Sequence, residues 1–126
     1  MKRAIAINCK YLMTEESMSQ IESNIDIVDI NDFKAKNKEI VDGNYENILF
    51  VITKTNFNIE LILNIIQAYK HHDNVNILID ACDFTEEENE TFDEIVEYLT
   101  GDVNVMINDD IDEIREFIKS YAEYYK

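Results

Sequence analysis

The stretch from Asn47 to Asp80 constrains the fold more than any other part of the chain. Asn-Ile-Leu-Phe-Val-Ile-Thr (47–53) is almost continuously apolar, the pattern of a strand buried on both faces of a parallel sheet. Val-Asn-Ile-Leu-Ile-Asp (75–80) is a second run of strand type. Between them, Asn58–Lys70 places Ile62, Ile65, Ile66 and Tyr69 at helical spacing. Strand, helix and strand within about 35 residues make a βαβ unit, with a right-handed crossover.

The flanking segments repeat the unit. Arg3–Asn8 reads as strand 1, and Thr14 as the N-cap of helix 1, with Glu15 and Glu16 suited to the helix N-terminal dipole. Asp26–Ile30 reads as strand 2. Asn31 is a candidate cap for a helix reaching about Val41, which carries Lys34, Lys36 and Lys38. Asp42-Gly43-Asn44 signals a turn. Strand 3 is 47–53, and helix 3 follows a cap at Asn56 or Asn58. Strand 4 is 75–80. Thr85 and Glu88 form a capping box for helix 4, which buries Phe92, Ile95, Val96 and Leu99 and ends near Gly101. Asp102–Asn108 reads as strand 5. Asn108 or Asp109 caps helix 5, whose apolar stripe is Ile111, Ile114, Ile118, Tyr121 and Tyr125.

Five strands alternating with helices imply a doubly wound parallel sheet, covered on both faces to give three layers. The expected strand order is 2-1-3-4-5, the flavodoxin-like order, with its switch point between strands 1 and 3. The 126 residues make one α/β domain with a real core. No apolar run approaches the ~20 residues of a membrane span, so the expectation is a cytoplasmic protein without membrane contact. Cys9 and Cys82 have no metal spacing and make no disulfide framework.

Charge is distributed unevenly. Net charge is −16. Residues 1–70 hold 8 Lys/Arg against 10 Asp/Glu, whereas Asp73–Glu113 holds 15 Asp/Glu and no Lys or Arg. Such a field repels phosphate backbones, which disfavours ordinary duplex nucleic acid and favours a basic protein partner. Glu86, Glu87, Glu90, Asp93, Glu94 and Glu97 on helix 4 are the candidate partner-binding residues. Surplus apolar residues, Leu61, Leu63 and Ala68 on helix 3 and Phe117, Tyr124 and Tyr125 on helix 5, raise the expectation of a homodimer through one of those helices.

Ligands of such sheets bind beyond the carboxyl ends of the strands. At the switch point these ends supply Asn8, Lys10, Thr53, Lys54 and Thr55, a polar set with two lysines suited to an anion. Asp80 and Asp83, with Asp109 or Asp110, are the acids that could meet around a divalent cation, although no metal site and no cofactor is expected. No Gly-x-Gly-x-x-Gly and no phosphate loop is present. His71 and His72 fall at the opposite sheet edge, so no nucleophile–histidine relay can be built.

The element string and the last third of the chain resemble a receiver domain of the response-regulator type. Receivers carry acids after strand 1, a phosphoacceptor Asp ending strand 3, Ser/Thr ending strand 4 and Lys ending strand 5. The corresponding ends here are Asn8-Cys9-Lys10, Ile52-Thr53, Asp80-Ala81 and Asn108-Asp109. The resemblance therefore implies a degenerate, non-phosphorylatable member that binds partners through the helix 4–strand 5–helix 5 face. A second resemblance covers the first quarter. Asn8, Leu12-Met13-Thr14-Glu15-Glu16 and Ile27-Val28-Asp29-Ile30 are similar to the opening of small CRISPR-ancillary ring nucleases, which cleave cyclic oligoadenylates. It implies a nucleotide pocket at Asn8, Lys10 and Lys54. The two functional expectations are thus a non-catalytic acidic regulatory module and a small nucleotide-directed enzyme or binder.

Overall fold

The computed structural model describes residues 2–42, 45–53, 59–69, 74–97 and 103–126. Lys54, Thr55, Asn56, Asn58, His71, His72, Leu99, Gly101 and the turn at 43–44 lie outside the described residues, as do the side chains of Lys34, Lys36, Lys38, Ile95, Val96 and Glu97.

The elements follow the expected alternation: β1 (Ala4–Ile7), α1 (Glu15–Asn24), β2 (Asp26–Val28), α2 (Ile30–Asp42), β3 (Asn47–Ile52), α3 (Ile59–Ala68), β4 (Val75–Asp80), α4 (Glu86–Glu97), β5 (Val103–Asn108) and α5 (Ile111–Tyr124). A short 3-10 turn, Lys10–Leu12, links β1 to α1. The five strands form one sheet in the order β2-β1-β3-β4-β5, and every neighbouring pair is parallel. This is the three-layer flavodoxin-like arrangement.

Alternation along each strand sorts the side chains into two cores. β1 shows the division most clearly: Ile5 and Ile7 enter one core, Ala4 and Ala6 the other. The first core joins Ile48, Phe50 and Ile52 of β3 and Val75, Ile77 and Ile79 of β4 to α2, α3 and Phe92 of α4. The second joins Ala4, Ala6, Leu49, Val51 and Leu78 to α1 and α5. All six residues of β3 are buried, which fits the central strand of a sheet covered on both sides. Each fully buried Ile or Phe contributes about 1.5–3 kcal/mol. Phe50 also meets Phe33 and Tyr69 edge-on, at 5.0 and 5.3 Å between ring centres.

Helix starts are fixed by local side-chain acceptors. Thr14 Oγ1 accepts from Ser17 N at 3.2 Å, as the sequence predicts. Thr85 Oγ1 accepts from Glu88 N at 3.3 Å, the cap bond the sequence predicts, and the same hydroxyl donates to Glu88 Oε1 at 3.2 Å. Two caps differ from expectation. α2 is capped by Asp29, whose Oδ1 accepts from Asp32 N at 2.7 Å, and not by Asn31. α5 is capped by Asp110, whose Oδ1 accepts from Asp112 N and Glu113 N, and not by Asn108 or Asp109. In each case the cap is the Asx residue immediately before an apolar residue, Ile30 or Ile111, that packs towards the core.

Candidate functional site

Asn8 directly follows β1 with φ of 71°, in the left-handed region that Asn tolerates better than most non-glycine residues. Its backbone N–H donates to Val28 O at 2.8 Å and its Nδ2 to Val51 O at 2.9 Å. One residue therefore ties β1 to β2 and to β3 at the switch point, and its side chain is buried in doing so. Lys10 goes elsewhere. It is exposed on the 3-10 turn and borders a shallow groove of about 430 Å³ with Met13, Thr14, Glu15, Met18 and Glu22. Thr53 is half-buried, and Lys54 and Thr55 lie outside the described residues. The structure thus turns Asn8 inward and Lys10 outward, towards a groove that already holds carboxylates.

The acids at the ends of β4 and β5 are engaged in turns. Asp80 Oδ1 accepts from Cys82 N at 3.0 Å. Asp110 caps α5, and Asn108 Oδ1 accepts from Asp110 N at 2.7 Å. Asp83 and Asp109 are exposed. Among the described residues, no group of three or more His, Cys, Asp and Glu is placed to hold a metal ion.

The thiols are not poised for attack. Cys9 is buried, and desolvation pushes it up to about 11. Cys82 is exposed, yet partial desolvation, a hydrogen bond to Asp80 and the charges of Asp80, Asp83 and Asp109 push it up to about 12. Both stay protonated at neutral pH, and the thiolate is the nucleophilic form.

The described part of the acidic face follows helical spacing. Phe92 turns into the first core, while Glu86, Glu87, Glu90, Asp93 and Glu94 are exposed. The ion pairs between described residues, Arg3–Glu46, Glu116–Lys119 and Glu123–Lys126, leave all five out. Beside α4, the carboxyl end of β5 opens into a groove of about 400 Å³ lined by Ala81, Asn89, Ile107, Asn108, Asp109 and Glu113.

Two features escaped the sequence. A larger groove of about 530 Å³ runs between α1 and α5, past Gln20, Asn24, Lys119, Ser120, Glu123 and Tyr124. At the amino edge of the sheet, Asn76 Nδ2 donates to Asn47 Oδ1 at 2.9 Å and Asn104 Nδ2 to Asn76 Oδ1 at 3.3 Å. The Asn residues at the starts of strands 3, 4 and 5 were the available signal for this ladder. Their spacing predicts nothing until the register is known.

Among the described residues, no helix is long and apolar enough to cross a membrane. No protein-family model, curated protein or solved structure matches the chain.

Proposed function

We propose that this protein is a non-catalytic binding module that docks a basic protein partner on the face formed by α4, β5 and the start of α5. The observation that carries this reading is the exposure of Glu86, Glu87, Glu90, Asp93 and Glu94 on one helix, within a 73–113 segment that has no Lys or Arg. Like charges four residues apart, Glu86–Glu90 and Glu90–Glu94, cost about 0.2–0.5 kcal/mol per pair. A cationic partner removes that repulsion and is drawn in by the long-range field. The protonated thiols and the inward-turned Asn8 favour binding over chemistry. A degenerate receiver-like domain is the family-level form of this reading.

The test is capture of partners at two salt concentrations by wild type and by a Glu87→Lys/Glu90→Lys/Glu94→Lys variant. Partners that the wild type holds at low salt should be lost at high salt and from the variant. Equal recovery by both proteins overturns the reading. So does turnover in a panel of linear and cyclic nucleotides followed by mass spectrometry, which would support the enzyme alternative at Asn8, Lys10 and Lys54.

Self-association has its own supporting observation. Leu63 on α3 is 43% exposed and Tyr124 on α5 is 74% exposed. A monomer by light scattering at high micromolar concentration argues against a dimer through either helix.

A further inference from the structure

We propose that the free edge of β5 receives an extended basic segment of the partner as a sixth strand. This rests on the docking reading above and names the form in which the partner binds.

Among the described residues, β5 is the last strand on its side of the sheet. Asn108 O accepts from Ala81 N, so the backbone groups of Asn108 face β4. Backbone direction alternates along a strand, so Asn104 and Met106 also face β4. The N–H and C=O groups of Val103, Val105 and Ile107 face outward, and no described residue pairs with them.

Sheet edges are usually blunted by shortness, proline, an edge lysine or a bulge. β5 has six residues, Val-Asn-Val-Met-Ile-Asn, with no proline and no charge. It pairs with β4 without a bulge from Val103 to Asn108. The opposite edge, β2, has only three residues.

Charge selects the occupant. A second copy would bring two chains of net charge −16 together, with α4 and the start of α5 of each beside the seam. A cationic strand meets the opposite condition. The groove at the end of β5 then supplies side-chain recognition. Ala81 and the 39% exposed Ile107 offer apolar wall, while Asp109 and Glu113 offer carboxylates. Asn108 Nδ2 holds Glu113 Oε2 at 2.9 Å, which fixes one carboxylate in the groove. An arginine or lysine fits this combination, its stem on Ile107 and its head at the acids. In strand addition, main-chain hydrogen bonds supply affinity and such pockets supply choice.

The experiment titrates the full chain with a capped seven-residue peptide of alternating valine and arginine, read by NMR amide shifts and calorimetry. Shifts should centre on Val103, Val105 and Ile107. A copy of the peptide N-methylated on its pairing edge keeps its charge and should bind on the order of tenfold or more weakly. A glutamate-for-arginine copy should not bind. Val105→Pro removes an outward N–H together with a side chain that packs on the first core, and should abolish binding while the circular dichroism spectrum stays native. The N-methylated peptide tests the same point on the unaltered protein if that variant does not fold. Equal binding of plain and N-methylated peptides overturns strand addition. If binding then still falls with Glu87→Lys/Glu90→Lys/Glu94→Lys, the acidic docking reading stands without it. Equal binding of arginine and glutamate peptides overturns the choice of a basic partner.

Discussion

Tyr121 Oη donates to Asn47 Oδ1 at 2.8 Å and joins the last turns of α5 to the first residue of β3. Both residues are buried. Asn47 Oδ1 also accepts from Asn76, so a single oxygen connects the helix to two strands. Desolvation pushes the Tyr121 hydroxyl up and keeps it a donor throughout the physiological range. Tyr121→Phe keeps the ring against Phe117 and Tyr125 and removes only this bond. It should cost about 0.5–1.5 kcal/mol in urea unfolding. An unchanged midpoint would mean that Asn76 satisfies Asn47 alone.

Asn8 carries two loads, a left-handed backbone and a side-chain bond to Val51 O. Glycine relieves the first and loses the second, whereas alanine loses the bond and suffers the backbone conformation, at about 1–2 kcal/mol. Asn8→Ala should therefore destabilise more than Asn8→Gly. Equal losses in chemical denaturation would show that the backbone conformation costs nothing here.

Asp110 accepts two amides at the start of α5. Asp110→Ala should cost about 0.5–2 kcal/mol, and Asp110→Asn should recover most of it. The same change at Asp109 should be nearly silent, although it lies one residue away. Thermal unfolding of the three variants decides between the two acids as the cap.

Tyr45 Oη donates to Asp26 Oδ2 at 2.7 Å. Desolvation, then the bond and the charge of Asp26, raise the phenol from 10.0 to about 12. A raised phenol stabilises the fold below its unfolded value, and that contribution is lost as pH climbs to the folded value. The advantage of wild type over Tyr45→Phe should be full below pH 10 and shrink between pH 10.0 and about 12. A constant difference across that window, in urea titrations at stepped pH, would contradict the assignment.

The strands were legible because their signal is hydrophobic and redundant. The five apolar residues of 47–53, Ile48 to Ile52, could change places without altering the expectation of a strand buried on both faces. The caps were less legible because the sequence offers Asp29 and Asn31, or Asn108, Asp109 and Asp110, in near succession. Any of these side chains can accept an amide. The choice is made by which apolar residue must reach the core, and that depends on the tertiary structure. The candidate pocket was the least legible. Asn8 and Lys10 are two residues apart at one strand end, and nothing local says that the first turns inward to Val51 while the second turns out beside Glu15 and Glu22. The edge of β5 was visible as a strand. Its outward row of amides follows only from the register with β4.

The placement of β1 has a consequence for synthesis on the ribosome. β1 pairs with β2, which emerges soon after it, but its other neighbour is β3, more than forty residues later. Until β3 is made, Ala4–Ile7 presents one side unpaired. The face carrying Ala4 and Ala6 stays partly open for longer still, because Ile114 and Ile118 of α5 follow every strand in the chain. Until its last helix arrives, the nascent protein therefore covers Ala4 and Ala6 with Leu12, Ile21 and Ile25 of the early elements but without Ile114 and Ile118.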